Sequence, residues 1–231
     1  SAFKNQNVAI RKKKKKIPIN YNRHYQHQNE IKEVEPNINR NRVDLHKERN
    51  NNFNTVIFSD SMPKGIKMYE FNKHLTNGRA LMKSFGGATS RELACYIMPT
   101  LEDYEFVNAI IHVGIIDILN DSSAKSFELL ANNIMKMVHS CRRHGILNIS
   151  ISGLVECEKA DIMKMMELNS MLKNICNVNN LSFIDNTNIA NFHLSRRDGI
   201  HLIESGKRIL ANNFIKNINS FLPKRLRTFR P

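Results

Sequence analysis

The chain has 231 residues, 41% of them hydrophobic and 24% charged, which is ordinary for a globular protein with one buried core. Its net charge of +14 sits at the ends: +8 over residues 1–52, +4 over residues 223–231 and only +2 over residues 53–222. No signal peptide is visible and no apolar run approaches the roughly 20 residues that span a bilayer, which argues against a helical membrane protein.

Residues 1–52 are polar, rich in Asn, Lys, Arg and Gln, and lack hydrophobic periodicity. They are expected to form a disordered basic tail, because they bury too little apolar surface to offset chain entropy. Arg11, Lys12, Lys13, Lys14, Lys15 and Lys16 form an unbroken basic run within it. Such a run suits nucleic acid or a nuclear-localisation role, and equally a solvated tail. Residues 223–231 form a second, short basic tail. Asn is abundant throughout, and nothing in the composition accounts for it.

From Phe53 the pattern changes. Residues 55–58 are a β-branched run and read as a first strand. Residues 63–75 read as loop and then helix. Residues 79–85 are a second strand, closed by Gly86 and Gly87. Ser90 is the expected N-cap of a helix over residues 91–97. Residues 107–113 form the clearest strand and stop at Gly114. Ser123 or Ser126 caps a long amphipathic helix that ends near His144 and Gly145. Residues 146–152 are a fourth strand. Residues 158–176 are the next helix, with Met163, Met166, Leu168, Met171 and Leu172 as core positions. Residues 181–184 are a fifth strand and residues 204–221 a last helix. The alternation implies right-handed crossovers, a parallel sheet and helices on both faces. A site on such a sheet lies just beyond the carboxyl ends of its strands.

The four cysteines have neither C-x-x-C nor zinc-ligand spacing, so no metal is expected. Cys95, Cys141 and Cys176 fall among apolar helical positions and read as buried thiols. That usage points to a reducing, intracellular compartment, cytoplasmic or nuclear. The chain starts at Ser1 rather than Met, so the missing targeting signal is weak support.

Four segments lie at or just past strand ends: residues 58–65, 84–89, 112–117 and 197–202. The first holds Ser61 and the last holds Asp198 and His201. A serine hydroxyl is a poor nucleophile until a base takes its proton, and His201 is the candidate base. A carboxylate can fix the tautomer and orientation of that ring, and Asp198 is three residues away across a turn at Gly199. Backbone N–H groups of Ser61 and Gly87 could hold the developing oxyanion.

These segments resemble the four sequence blocks of the SGNH (GDSL-type) hydrolases. Ser59-Asp60-Ser61 stands where the family has Gly-Asp-Ser, Gly87 matches the second-block glycine, Gly114 to Asp117 match Gly-x-Asn-Asp, and Asp198 and His201 match the closing D-x-x-H. The resemblance spans about residues 53–222. It implies a three-layer α/β/α fold with a five-stranded, mainly parallel sheet in flavodoxin-like order. It also implies a serine esterase acting on a small ester through Ser61, His201 and Asp198, with no cofactor. Two residues depart from the pattern. Ser59 replaces a glycine, and Ile116 replaces the asparagine that in the family donates a hydrogen bond to the oxyanion. A lost donor of that kind typically costs about 100- to 1,000-fold in turnover.

Stretches such as residues 60–67, 78–90 and 198–214 are similar to SGNH-like domains of invertebrate genomes and of the first open reading frame of non-LTR retrotransposons. Those proteins join an esterase-like domain to nucleic-acid-binding segments. Oskar-like germ-plasm proteins carry a related domain that has lost the triad and binds RNA. The rival expectation is therefore a weak or inactive SGNH-like module for nucleic-acid binding or assembly.

Plainer readings stand beside these. Ser61 also fits an ordinary turn, and D-x-x-H alone is a common pattern. His112 reads as a satisfied core histidine, and Asp117 as a residue that caps a helix or orders a loop. Arg196, Arg197, Lys207 and Arg208 read as a solvated charged face. The oligomeric state is not written in the pattern.

Overall fold

The computed structural model describes residues 53–221. The expectations for residues 1–52, including the basic run at 11–16, and for residues 223–231 lie outside the described residues.

Five strands form one parallel sheet: β1 (Thr55–Ser59), β2 (Ala80–Ser84), β3 (Asn108–His112), β4 (Asn148–Ser152) and β5 (Ser182–Ile184). Their order is β2-β1-β3-β4-β5, the flavodoxin-like order. β1 and β3 are buried along their whole length, as expected of strands covered on both faces, whereas edge strand β2 is mostly half-buried. The register aligns Ser59 with both Ser84 and His112, so three strands end level at one edge.

Six α-helices connect and cover the strands: α1 (Met68–Lys73), α2 (Ser90–Asp103), α3 (Ile115–Asn120), α4 (Ala124–Arg143), α5 (Ile162–Val178) and α6 (Glu204–Ser220). Ser123 caps α4 by accepting the Ser126 N–H. The core is continuous, from Val56, Ile57 and Phe58 on β1 through Ile110 and Ile111 on β3 to Leu93, Ile134, Leu168 and Phe214 on the helices.

Several local expectations are corrected. The cap of α2 is Thr89, which forms a reciprocal capping box with Glu92, and not Ser90. That helix runs on past residue 97 through Pro99, because Thr100 and Leu101 still bury on its inner face. Its buried stripe is Leu93, Ile97 and Leu101, so Cys95, two residues off that stripe, is exposed rather than buried. Cys157 is buried instead. α5 starts four residues later than expected, where Asp161 accepts the Met163 and Lys164 N–H groups. Its buried stripe becomes Met165, Leu168, Leu172 and Cys176. Met163 and Met166 fall off that stripe and are 68% and 56% exposed.

The asparagines have a structural use that composition hides. Asn72 grips the Ala80 backbone at both N–H and C=O, tying α1 to β2. Asn169 on α5 does the same to Leu154 beyond β4. Asn108 donates to Thr55 Oγ1 and accepts from Asn148, linking three strands. Each amide presents a donor and an acceptor together, which matches a backbone peptide edge.

Candidate active site

Ser61 follows β1 by two residues. Its carbonyl accepts the Lys64 N–H at 3.0 Å, so a tight turn holds it at the carboxyl end of the sheet. Asp198 and His201 come from a loop closed like a small hairpin. Leu194 and Leu202 pair antiparallel, the Ser195 N–H donates to the His201 carbonyl at 2.7 Å, and the Ile203 N–H donates to the His193 carbonyl at 2.8 Å. Although 140 residues apart, Ser61 Oγ and His201 Nε2 lie 2.9 Å from each other. On the other side of the ring, Nδ1 lies 2.9 Å from Asp198 Oδ2.

Asp198 is held firmly. Its Oδ1 accepts the Ile200 N–H at 3.0 Å and the His201 N–H at 2.9 Å. Those backbone donors, and then the imidazole, push its carboxyl down to about 2. An ionised carboxylate only accepts, so Nδ1 must carry a proton. In the neutral imidazole Nε2 is then an acceptor, and the Ser61 hydroxyl donates to it. The tautomer thus follows from the hydrogen-bond logic, and it is the one a general base needs. The His201 and Asp198 side chains are 45% and 32% exposed, so the pair is open to a solute.

The second segment is pinned beside the first. The Phe85 N–H donates to the Ser59 carbonyl at 2.8 Å, and Ser84 Oγ shares a 2.8 Å hydrogen bond with Ser59 Oγ. Gly87 follows at φ +74°, a left-handed conformation that side chains resist, with open space where a Cβ would stand. Among the described residues nothing accepts the Ser61 or the Gly87 N–H. Both amides are therefore free to meet an anionic oxygen.

The third segment turns at Gly114, φ +132°, where a Cβ would strike Leu130 Cδ1 at 2.8 Å. α3, a helix that the sequence pattern did not reveal, opens directly after it. Ile116 is its second residue, half-buried and packed against the core. Asp117 accepts both the N–H and the hydroxyl of Ser90 at 2.8 and 2.7 Å, which fastens α3 to the start of α2. Ordering the loop is thus its visible role.

His112 is fully buried, with Nδ1 2.9 Å from Ser152 Oγ and its ring edge-on to Phe214. Burial pulls its pKa down to about 4, so it is a neutral core residue. Arg196 and Arg197 are exposed, as a solvated face requires. Lys207 and Arg208 are not simply on such a face. They line a groove of about 510 Å³ between α1 and α6, with Ile66, Phe71, Ala211 and Ile215. No group of three or more His, Cys, Asp or Glu among the described residues could hold a metal. No helix among them is long and apolar enough to cross a membrane.

Sequence reasoning missed one residue of this region. Asp60 is wholly buried beside Ser61, and its Oδ2 has no hydrogen-bond partner among the described residues. A charged residue inside a turn motif reads as exposed, and only the packing shows otherwise.

No family model and no curated relative matches the chain. Solved structures do. A GDSL-like lipase from Bacteroides thetaiotaomicron aligns with a TM-score of 0.62 at 18% identity, covering 73% of this chain and 88% of the lipase. A lipase/acylhydrolase from Enterococcus faecalis aligns at 0.60 and 16%, covering 73% and 96%. The fold is that of the GDSL hydrolases. An acetylxylan esterase from Geobacillus stearothermophilus shares it at 0.59 and 15%, covering 74% and 96%.

Proposed function

We propose that the chain is a serine hydrolase that cleaves a small ester through Ser61, His201 and Asp198. The observation that supports this most is the unbroken relay of two 2.9 Å contacts from Ser61 Oγ through the imidazole to an ionised Asp198. The similar structures are a GDSL-like lipase, a lipase/acylhydrolase and an acetylxylan esterase, which accords with this reading.

In this reading Ser61 Oγ attacks the ester carbonyl while its proton passes to His201 Nε2. Asp198 holds the ring and stabilises the imidazolium. The free N–H groups of Ser61 and Gly87 receive the oxyanion. The tetrahedral adduct collapses, the C–O bond to the alcohol breaks, and the alcohol takes the proton from Nε2. Water then attacks the acyl-enzyme with His201 again as base, which releases the acid and restores Ser61. Where the family has a third donor this chain has Ile116, so turnover is low.

The apolar Ile116 also supports a second reading, a scaffold with little turnover that binds nucleic acid or serves assembly. The resemblance to retrotransposon-encoded and Oskar-like domains, and the basic segments at 11–16 and 223–231, belong to that reading, as does an intracellular location. Hydrolysis of a short activated ester, compared between the full chain and Ser61→Ala, separates the two. Activity that vanishes in Ser61→Ala supports the hydrolase, and a folded chain with no activity supports the scaffold.

A further inference from the structure

Asp60 is fully buried. Its Oδ1 accepts the Met62 N–H at 2.9 Å, across the nucleophile, and its own N–H donates to the His112 carbonyl at 3.1 Å. The carboxyl therefore braces the turn that presents Ser61, and the Asp60 backbone N–H ties that turn to β3. Its Oδ2 finds no partner among the described residues. A carboxylate left so would be a buried charge short of donors, which is costly, whereas a carboxylic acid is not charged.

The surroundings point the same way. Two titratable groups act on Asp60 electrostatically: Asp117 from α3 opposes its ionisation, and His201 from the loop beyond β5 favours it more weakly. The Met62 amide, and to a lesser degree the Ile115 amide at the start of α3, also favour the charged form. The His112 ring on β3 faces Ser152 and is neutral. Burial outweighs all of these and raises the carboxyl to about 7.

We propose that Asp60 is a positioning residue that works as a neutral carboxylic acid, bracing the Ser61 turn without setting a negative charge beside the oxyanion. The proposal rests on the esterase reading for its kinetic consequence and on packing alone for the protonation state. When Asp60 loses its proton, a fixed negative charge appears next to the place where the ester oxygen becomes an anion. That charge slows acylation as pH rises, by on the order of tenfold for one charge acting over several ångströms of protein.

The test is the pH dependence of Ser61 labelling by a fluorophosphonate, measured on the full chain, Asp60→Asn and Asp117→Asn. The infrared carbonyl band of a protonated carboxylic acid, present in the full chain and absent from Asp60→Asn, is followed over the same pH range. The expected wild-type rate falls about tenfold on the alkaline side of neutrality, in step with loss of that band. Asp60→Asn keeps the Oδ1 brace, carries no charge, and shows no alkaline fall. Asp117→Asn removes the opposing neighbour and moves the fall to lower pH, a shift that a merely structural Asp60 would not produce and that can be read even if Asp60→Asn does not fold. An alkaline limb shared by wild type and Asp60→Asn, one unmoved by Asp117→Asn, or a carboxylate without the acid band below neutrality overturns the proposal. If nothing labels Ser61 at any pH, the esterase reading fails, and the infrared band alone then decides whether Asp60 is neutral.

Discussion

Asp198 holds His201 at two points, accepting the backbone N–H on Oδ1 and facing the ring Nδ1 with Oδ2, each at 2.9 Å. An amide in that place keeps the first contact and spoils the second. Asp198→Asn retains Oδ1, but its NH₂ donates to Nδ1, which forces the ring proton to Nε2, where it faces Ser61. Ester turnover should drop by about 10⁴-fold in Asp198→Asn while the folded structure survives, since loss of the correct tautomer has that scale. A loss of less than tenfold in kcat would show that Asp198 only orders the loop.

Asp198 also ties stability to pH. Its folded-state pKa is depressed, so its contribution to stability is present above the ordinary carboxylate range and is lost as pH falls towards about 2. Asp60 has the opposite sign. Its folded-state pKa is raised from 3.8 to about 7, so the native state holds a proton that the unfolded chain releases. Stability should therefore decline by up to about 4 kcal/mol as pH rises from 4 to 7. Asp60→Asn should lack that decline, and urea denaturation of both proteins across this range reads the difference.

Gly87 and Gly114 both have positive φ, but they differ in surroundings. Gly87→Ala meets open space and should cost roughly 1–2 kcal/mol, the backbone strain alone. Gly114→Ala adds a clash with Leu130 and should cost about 1–3 kcal/mol more. Thermal unfolding of the two variants should rank them in that order.

Ile116 is the departure from the family pattern on which the proposed low turnover rests. Ile116→Asn restores the side chain that the resemblance assigns to an oxyanion donor, and in the esterase reading turnover of an activated ester should rise by up to about 100-fold. The same change puts an amide among apolar neighbours and should lower stability. A gain that disappears in the double variant with Ser61→Ala identifies the restored donor. A folded Ile116→Asn protein as inert as its parent favours the scaffold reading.

Truncation addresses the basic segment. Removing residues 1–52 takes away a net charge of +8, including Arg11 to Lys16. Nucleic-acid affinity should fall and its salt dependence flatten, because each phosphate contact contributes to that slope. Ester hydrolysis should stay within about twofold, since Ser61, Asp198 and His201 all follow the cut. Unaltered affinity would show a solvated tail.

Strand positions were legible because fully buried strands such as β1 and β3 centre on apolar runs between turn residues, whereas the sheet order came from the resemblance to the SGNH hydrolases. The meeting of Ser61 with His201 was legible because both follow strand ends on one edge of a parallel sheet. Helix faces were less so. In α5 every third or fourth residue is apolar in more than one register, and packing against the sheet rather than the local pattern selects the stripe through Met165. The helix expected over residues 91–97 runs on through Pro99, where Thr100 and Leu101 carry the burial onward. Asp60 was hidden because a carboxylate in a turn is normally exposed, and its burial comes from the convergence of β1, β3 and α3, which no local pattern encodes.

The most direct measurement of the central claim is mass-spectrometric mapping of the residue modified by a fluorophosphonate on the full chain. A relay that lets His201 take the Ser61 proton predicts one adduct per chain, on Ser61, absent from Ser61→Ala and slowed strongly in His201→Ala. A folded chain that gains no adduct, or gains one on another residue that persists in Ser61→Ala, would contradict it.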